Sequence, residues 1–472
     1  MFLISTVLAG TAMRGVGMDP TELTLGDLSG TALGTQTTGG DDEYRLYFHG
    51  FIRAPIGLGI TDNGSIHVPP RVPDNNYLDW RFTNNLGSPW TELQLGYGSK
   101  HVSANVSLAA YSYTDAGYNN LSAQQGINKA FITLNYPEFF GDKGGLVAHF
   151  GAFANRYGAA GRYGAGVYET YLLGATHVSG ENVRIYYRLG EHLTVHAEQG
   201  FGAKLDVAPM TSLDAPYLPY GGPVQQGSTV LHHEHLGLSY DETLIVGLHY
   251  LNSWTSDAEQ GETDGRISSA GADLRLAGHR FGDGYIGYSH VDSRDPLRVA
   301  DALEVLHSSG GWSLQQNYFG TAGTGTGTID SLLFQYSFSM ARYLWHPREF
   351  WGQERDLVVT AFMMANHLET NDANASGASN KMKLGGMVTY TPKGWLGVSA
   401  RYDLVQPDLN DSDQNFSVIT PRIILRSDFA SNEQIVIQYS RYLNGSGSRP
   451  AYPDEDSAPD PNTVVISGLI WW

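Results

Sequence analysis

The sequence contains no cysteine among its 472 residues. This absence excludes disulfide bonds, iron–sulfur clusters, zinc sites built on thiolates and a lipid anchor on an N-terminal cysteine. Charged residues are also scarce, at 16% against about 25% in an average globular domain. Basic residues are fewer than acidic ones, with 29 Lys and Arg against 48 Asp and Glu. The resulting net charge of −19 argues against nucleic acid as a partner, because nucleic-acid phosphates are anionic.

Long apolar runs are missing as well. No stretch reaches the 18 or so apolar residues that a transmembrane helix requires. The N-terminal segment 1-MFLISTVLAGTAM-13 is apolar and then rich in small residues, but it lacks a basic start. We predict that residues 1–15 are the remnant of a secretory signal peptide, and that residues 16–43, which show no periodicity, form a disordered leader. Residues 44–472 would then form one domain.

Glycine and tyrosine are abundant, with 57 and 28 residues, and aromatic residues make up 12% of the chain. Glycine suits tight turns, and tyrosine suits surfaces that are apolar at one end and wet at the other. The hydrophobic share of 41% is slightly below average and indicates no thick conventional core. This composition favours many strands joined by turns over several ordinary soluble domains.

Apolar and polar residues alternate along the chain from Tyr44 onward. In 183-VRIYYRL-189 and 396-LGVSARYDL-404 one set of alternate residues is apolar and the other carries Arg or Asp. The chain ends 463-TVVISGLIWW-472, where Val464, Ile466, Ile470 and Trp472 fall on one face. Alternation at period 2 with a terminal aromatic residue is typical of strands that turn one face to lipid.

The connections between these segments are of two lengths. Short and long connections alternate in the C-terminal half, as they do in a barrel with periplasmic turns and extracellular loops. Two neighbouring segments, 179-SGEN-182 and 190-GEH-192, both have the composition of tight turns, which interrupts the alternation. We predict an all-β, antiparallel transmembrane β-barrel of about 18 strands, with 16 and 20 as alternatives.

Taken together, the alternating strands, the terminal aromatic residue, the acidic connections and the missing cysteine resemble Gram-negative outer-membrane porins. The resemblance covers the chain from residue 44 on, but it is architectural and rests on no short motif. It implies a bacterial outer-membrane location, passive diffusion of small hydrophilic solutes or ions, no cofactor and no catalysed reaction. The partners it implies are outer-membrane lipid and lipopolysaccharide, with a homotrimer as the candidate assembly.

Charged residues on the strands indicate which face would line the lumen. An ionised Arg or Lys on the lipid face near the bilayer midplane costs about 2–4 kcal/mol, so we expect these side chains to point inward. The predicted pore-lining residues, all opposite an apolar ladder, are Arg45, Arg53, Arg184, Arg188, Arg401, Arg422, Glu92 and Asp403.

The segment 154-ANRYGAAGRYGAGVYETY-171 repeats Arg-Tyr-Gly and then adds an acidic residue. It resembles the early porin loop that folds into the lumen as a constriction. Arg156, Arg162 and Glu169 would then take part in a transverse field that orders permeating solutes. An exposed glycine-rich loop is the alternative interpretation.

The string 232-HHEH-235 raises the question of a metal site. On a strand, His233 and His235 share one face, while His232 and Glu234 take the other. Two such imidazoles can bind zinc or copper, but the sequence identifies no third ligand. Polar lining of the lumen explains the histidines better, and we predict no metal site.

Two other classes of protein stay open from the sequence. One is a membrane-embedded barrel with a narrow lumen that acts as an enzyme or receptor. The other is a soluble β-rich binding protein, such as a sandwich, which shows the same alternation. A sandwich would favour Lys, Glu and Thr on its outer faces and would not need Tyr on so many strand ends.

Overall fold

The fold comes from a computed structural model of the chain. The residues that it describes are 44–59, 91–110, 125–156, 175–205, 228–241, 243–255, 265–294, 326–345, 355–370, 379–406, 408–410, 412, 415–427, 429, 432–444 and 462–472. The predicted signal remnant and leader, residues 1–43, therefore lie outside the described residues and remain predictions.

The described residues are almost entirely β-strand. In chain order the strands are β1 (Arg45–Gly59), β2 (Thr91–Gly98), β3 (Val102–Ala110), β4 (Gln125–Tyr136), β5 (Phe139–Asp142), β6 (Gly144–Arg156), β7 (Ala175–Arg188), β8 (Leu193–Leu205), β9 (Ser228–Tyr240), β10 (Leu244–Thr255), β11 (Arg266–His279), β12 (Gly282–Arg294), β13 (Thr326–Ser339), β14 (Asp356–Thr370), β15 (Ser379–Lys393), β16 (Leu396–Gln406), β17 (Phe416–Ser427), β18 (Asn432–Asn444) and β19 (Asn462–Trp471). A short helix, α1 (Met340–Trp345), follows β13. No helix in these ranges is long and apolar enough to cross a membrane.

Eighteen strands form one closed antiparallel sheet, and the short β5 stands outside it. Neighbours in the ring are neighbours in sequence, and β1 closes it by pairing with both β2 and β19. The closure extends to the last residue, because Gly50 and Trp472 exchange two backbone hydrogen bonds. The predicted fold class and the strand number of 18 are confirmed.

Each strand packs chiefly against its two neighbours in the ring. Two stacked sheets would instead bring strands from opposite sheets into contact across a shared core. The sandwich alternative is therefore wrong. Among the described strands, all eighteen barrel strands belong to one sheet, and no second sheet packs against it.

The connections define the two ends of the barrel. Tight connections at 99–101, 189–192, 241–243, 280–281, 394–395 and 428–431 lie at one end, which we call the turn end. The first residue of β1 and the last residue of β19 also lie at the turn end. We call the opposite end of the barrel the loop end. The one long connection at the turn end is 340–355, which begins with α1. The sequence reading did not anticipate this helix.

One predicted turn is absent. The segment 179-SGEN-182 lies inside β7, which runs without interruption from Ala175 to Arg188. Its backbone pairs with β6 and β8 on both sides, for example Gly180 with Gly151 and Gly202. A turn-forming composition was overridden by pairing on both edges of the strand. Because β7 is continuous here, the interruption in the alternation of short and long connections disappears. That interruption was what left the strand number undecided from the sequence.

Side chains alternate between the two faces of the wall. In β18, Ile435, Ile437 and Tyr439 are exposed on the outer face, whereas Gln434 and Gln438 are buried on the inner face. The same division holds around the ring. Buried apolar side chains gather on the inner face toward the loop end of β9–β14, and they include Leu231, Leu251, Ile267, Val291 and Ile329.

The turn after β9 shows how local chemistry shapes the turn end. Asp241 has a positive φ of 50°, which Asp tolerates better than most residues other than glycine. Its carboxylate lies 2.6 Å from His192 Nδ1 in the neighbouring turn, and its backbone N–H donates to the His192 carbonyl. The two adjacent turns are thereby joined.

A charge on the outer face should be costly. We expect Ile437→Arg to lower the free energy of unfolding from lipid vesicles by about 2–4 kcal/mol, because its guanidinium would face hydrocarbon near mid-height. The control Ile437→Met keeps an apolar side chain at the same position. Urea titration in vesicles measures both, and equal stability of the two variants would contradict an outer face in lipid.

Candidate functional site: the lumen wall

The inner face of the barrel is largely polar, apart from the apolar area toward the loop end of β9–β14. Period-2 alternation places every second residue of each strand on it, and these residues are mostly Ser, Thr, Asn, Gln, His and charged side chains. Many of the charged ones contact an opposite charge on the same wall. The wall is therefore built from local ion pairs and hydrogen bonds.

On β2–β4 the wall is held by a buried ion pair. Lys129 Nζ donates to Glu92 Oε1 at 3.1 Å, and the Ser107 hydroxyl donates to the same oxygen at 2.7 Å. Ser107 and Lys129 face each other in the β3–β4 register, immediately before a bulge. The carboxylate therefore has both a counter-charge and a hydrogen-bond donor, which a buried charge requires.

On β16 a basic and an acidic side chain lie next to each other on the inner face, and a second basic side chain lies on β17. The Arg401 guanidinium donates from Nε to Asp403 Oδ2 at 2.8 Å and from a terminal nitrogen to Oδ1 at 2.6 Å. Its carbon Cζ lies 4.5 Å from the centre of the Phe362 ring, so a cation–π contact adds to the bidentate pair. Arg422 points the same way on β17 and reaches Met387 Sδ at 3.4 Å.

An arc of histidines covers the wall from β6 to β10. His149, His196, His233, His235 and His249 all point inward. Glycines on neighbouring strands leave room for the rings, since a Cβ at Gly237 of β9 would collide with His196 of β8, and one at Gly247 of β10 with His235 of β9. The described residues contain no group of three or more His, Cys, Asp or Glu side chains arranged to hold a metal ion. Within the string 232–235, His233 and His235 point inward and the other two residues outward, as their spacing predicts.

Three inward side chains stand in the order Ser–His–Asp. Ser289 Oγ lies 2.8 Å from His249 Nε2, and Asp273 Oδ2 lies 2.9 Å from His249 Nδ1. Serine hydrolases use this order, but they also need an accessible hydroxyl and free N–H groups for the oxyanion. Ser289 is completely buried, and the strands pair in a regular ladder at this point. The trio is a structural hydrogen-bond chain.

At the turn end, α1 is tied to the inner face. The Ser339 hydroxyl accepts a bond from the Arg342 N–H at 3.1 Å, as an N-cap does. The Asp356 carboxylate accepts from the Ala341 N–H at 2.8 Å and from the Ser339 hydroxyl at 2.9 Å. Arg342 also forms an ion pair with Asp283 of β12. The helix therefore begins within the ring of strands at its turn end.

The structure places the predicted pore-lining residues unevenly. Glu92, Arg401, Asp403 and Arg422 are buried on the inner face, and Arg184 is half-buried there, opposite Glu198 in the β7–β8 register. Arg45 and Arg188 are exposed at the turn end, as the first residue of β1 and the last of β7. Arg53 pairs with Leu469 through its backbone, but its side chain lies outside the described residues.

The predicted constriction also lies outside the described residues. Arg156 is the last residue of β6, with its side chain beyond what is described, and Arg162 and Glu169 fall in 157–174. The constriction stays a prediction. The sequence reading missed Lys129, Glu198 and Asp273 as wall residues, although their inward parity on the strands was a usable signal.

No family model matches the chain, and no curated protein does. Among solved structures it is similar to the outer membrane channel DcaP of Acinetobacter baumannii, with 11% identity, a TM-score of 0.41 and coverage of 91% of this chain and 97% of that one. It is similar to the outer membrane protein OpdK of Pseudomonas aeruginosa, with 9% identity, a TM-score of 0.41 and coverage of 91% and 99%. The outer membrane protein OmpT of Vibrio cholerae gives 12% identity, a TM-score of 0.41 and coverage of 92% and 99%. These likenesses are too distant to bear on function.

The ion pair on β2–β4 gives a quantitative test. We expect Lys129→Met to destabilise the barrel by about 3–5 kcal/mol, because it leaves the Glu92 carboxylate buried without its counter-charge. Adding Glu92→Gln should recover most of that loss, since the neutral amide costs less to bury. Urea unfolding of the two single variants and the double variant measures the coupling, and additive losses would contradict a buried pair.

Proposed function

We propose that the chain is an outer-membrane channel for the passive diffusion of small hydrophilic solutes or ions. The observation that carries the proposal is the closed 18-strand ring with a polar inner face and an apolar outer face. Closure removes the unpaired backbone groups that hydrocarbon cannot satisfy. The outer face then meets lipid, and the inner face encloses water.

The size of the ring supports a channel over a filled core. Strands about 4.8 Å apart and tilted by about 40° enclose, at this number, a backbone cylinder about 35 Å across. Side chains from the wall do not fill such a width, and barrels of 16–18 strands generally leave an aqueous channel. No reaction is part of the proposal, and the Ser–His–Asp set described above is buried.

Selectivity would arise from the charges on the wall. Many described charges are neutralised locally, as in the pairs of Glu92 with Lys129 and of Arg401 with Asp403. Paired charges present weak fields to a passing ion because opposite signs lie within hydrogen-bonding distance. A substitution that reverses one charge on the inner wall should therefore change the ion preference measurably.

Planar-bilayer recording tests the channel. We expect stepwise, ohmic conductance from the purified chain, and a preparation that folds but remains silent would overturn the proposal. The folded state is checked separately, because an unboiled barrel migrates anomalously on a gel.

The sign of the wall charge can be tested at Arg422. We expect Arg422→Glu to shift the reversal potential in a salt gradient toward greater cation preference, because a fixed cation on the inner face becomes an anion. Arg441→Glu makes the same charge change on the outer face of β18 and should leave the reversal potential nearly unchanged. Equal shifts in both variants would contradict the assignment of the two faces.

A further inference from the structure

Helix α1 does not belong to the wall, and it lies across the rim of the barrel at the turn end. Its residues Ala341 and Arg342 are buried, and the Arg342 guanidinium pairs with Asp283 on the inner face. The next residue, Tyr343, lies on the other side of the rim. Its ring contacts the ring of Phe338, an outward residue of β13, at a centroid distance of 5.7 Å. The helix therefore has one side at the lumen mouth and the other side at the outer face.

The side of α1 that is turned away from the lumen is an apolar stripe, formed by Met340, Tyr343 and Leu344. These residues have the spacing i, i+3, i+4, which places their side chains on one face of a helix. All three are exposed, at 40%, 44% and 52% of their surfaces respectively. Ala341 and Arg342, which fall outside the stripe, are buried. The helix is thus amphipathic, with its ionic contact inside the barrel and its apolar stripe outside.

The stripe continues into an aromatic cluster on the outer rim. Phe281, in the turn between β11 and β12, is also exposed, and its ring lies 6.0 Å from that of Tyr343. The Tyr336 hydroxyl, on the outer face of β13, donates to the Phe281 carbonyl and holds this turn against β13. The Arg280 guanidinium carbon lies 4.7 Å from the centre of the Phe281 ring. Aromatic rings next to a basic group are typical of the boundary between hydrocarbon and water.

The position of this cluster along the barrel corresponds to the headgroup layer. Phe338 is one residue from the end of β13, and both Phe281 and α1 lie beyond the ends of their strands. The cluster therefore lies at the edge of the apolar outer face, where acyl chains give way to headgroups. Amphipathic helices are stable in this layer, with the apolar face buried by about 5–10 Å.

Six residues are too few for a helix to form, or to bind a membrane, by itself. The barrel removes both obstacles. The Ser339 hydroxyl and the Asp356 carboxylate accept hydrogen bonds from the Arg342 and Ala341 N–H groups, which stabilises the first turn. The covalent connection to β13 keeps the stripe next to the membrane, so that insertion is an intramolecular event.

We propose that α1 is an interfacial helix whose stripe, Met340, Tyr343 and Leu344, is inserted among the phospholipids of the leaflet at the turn end. The inference rests on the proposed function only in taking the barrel to span the bilayer. The stripe is occupied by lipid because it is continuous, through Phe338 and Phe281, with the outer face that meets the acyl chains. Through the pair of Arg342 with Asp283, the same helix joins the membrane surface to the mouth of the lumen.

The absence of cysteine allows a single introduced thiol to report on this surface. Leu344→Cys and Met340→Cys would each carry a small environment-sensitive fluorophore, in vesicles whose lipids are brominated near the headgroup end of the acyl chains. The matched control is Glu191→Cys, an exposed position in the turn between β7 and β8. We expect brominated lipid to quench positions 344 and 340 several-fold more than position 191, and aqueous iodide to quench them several-fold less.

Equal quenching of the three positions by brominated lipid would overturn the inference. Iodide quenching at 344 and 340 as strong as at 191 would do the same, because the stripe would then face water. Protection from iodide that appears in native outer-membrane vesicles but not in vesicles of pure lipid would also overturn it, since the occupant would then be a protein.

A second pair of variants changes the stripe while the label stays at position 340. Leu344→Glu should lower the lipid quenching there several-fold, because a carboxylate is costly to move out of water, whereas Leu344→Met should retain it. Unchanged quenching in the Glu variant would count against insertion, and the anomalous migration of unboiled samples on a gel confirms that each barrel is folded. Conductance of the same vesicles separates the two proposals. A conducting barrel with its stripe in water removes only the interfacial helix, and a silent barrel with its stripe in lipid removes only the channel.

Discussion

The constraint on which the rest depends is the pairing of backbone groups in a medium without water. A sheet that leaves one edge unpaired exposes N–H and C=O groups, and in hydrocarbon each costs several kcal/mol. The chain meets this constraint by returning its last strand to its first, so that β1 lies between β2 and β19. The terminal Trp472 takes part directly through its two backbone bonds to Gly50, and its ring lies 5.6 Å from that of Phe48.

Closure then divides the side chains into two environments with different rules. Outside, an apolar residue needs no specific partner, and exposed Ile, Val and Leu side chains cover most strands. Inside, charges are brought together across neighbouring strands, as Glu92 meets Lys129 over β3. The histidine arc follows the same principle at two positions: His233 lies over Gly200 and bonds to Asn182, and His249 lies over Gly271 and bonds to Asp273 and Ser289. Apart from the apolar area toward the loop end of β9–β14, the described inner wall is thus a connected polar surface that is largely neutral at short range.

Two departures from this plan are the helix at the turn end and the polar side chains that reach the outer face, among them His290, Asp330 and Arg441. Helix α1 begins the long connection at that end, and its Arg342 binds Asp283 on the far side of β13. These outward polar side chains break the rule that outward residues are apolar, and His290 and Asp330 do so as a hydrogen-bonded pair on neighbouring strands. Both are places where the local pattern of the sequence follows a tertiary requirement that alternation does not express.

The sequence by itself determined the fold class, a strand number near 18 and the two faces of most strands, because period-2 alternation depends only on which neighbouring residues are apolar. It also predicted the inward parity of His233, Arg401 and Asp403. It misplaced a turn at 179-SGEN-182, since four residues of turn composition carry no information about the strands that flank them. Only the tertiary structure decided which inward residues meet: the register sets Lys129 against Glu92 and His249 against Asp273, and register arises from pairing between distant segments.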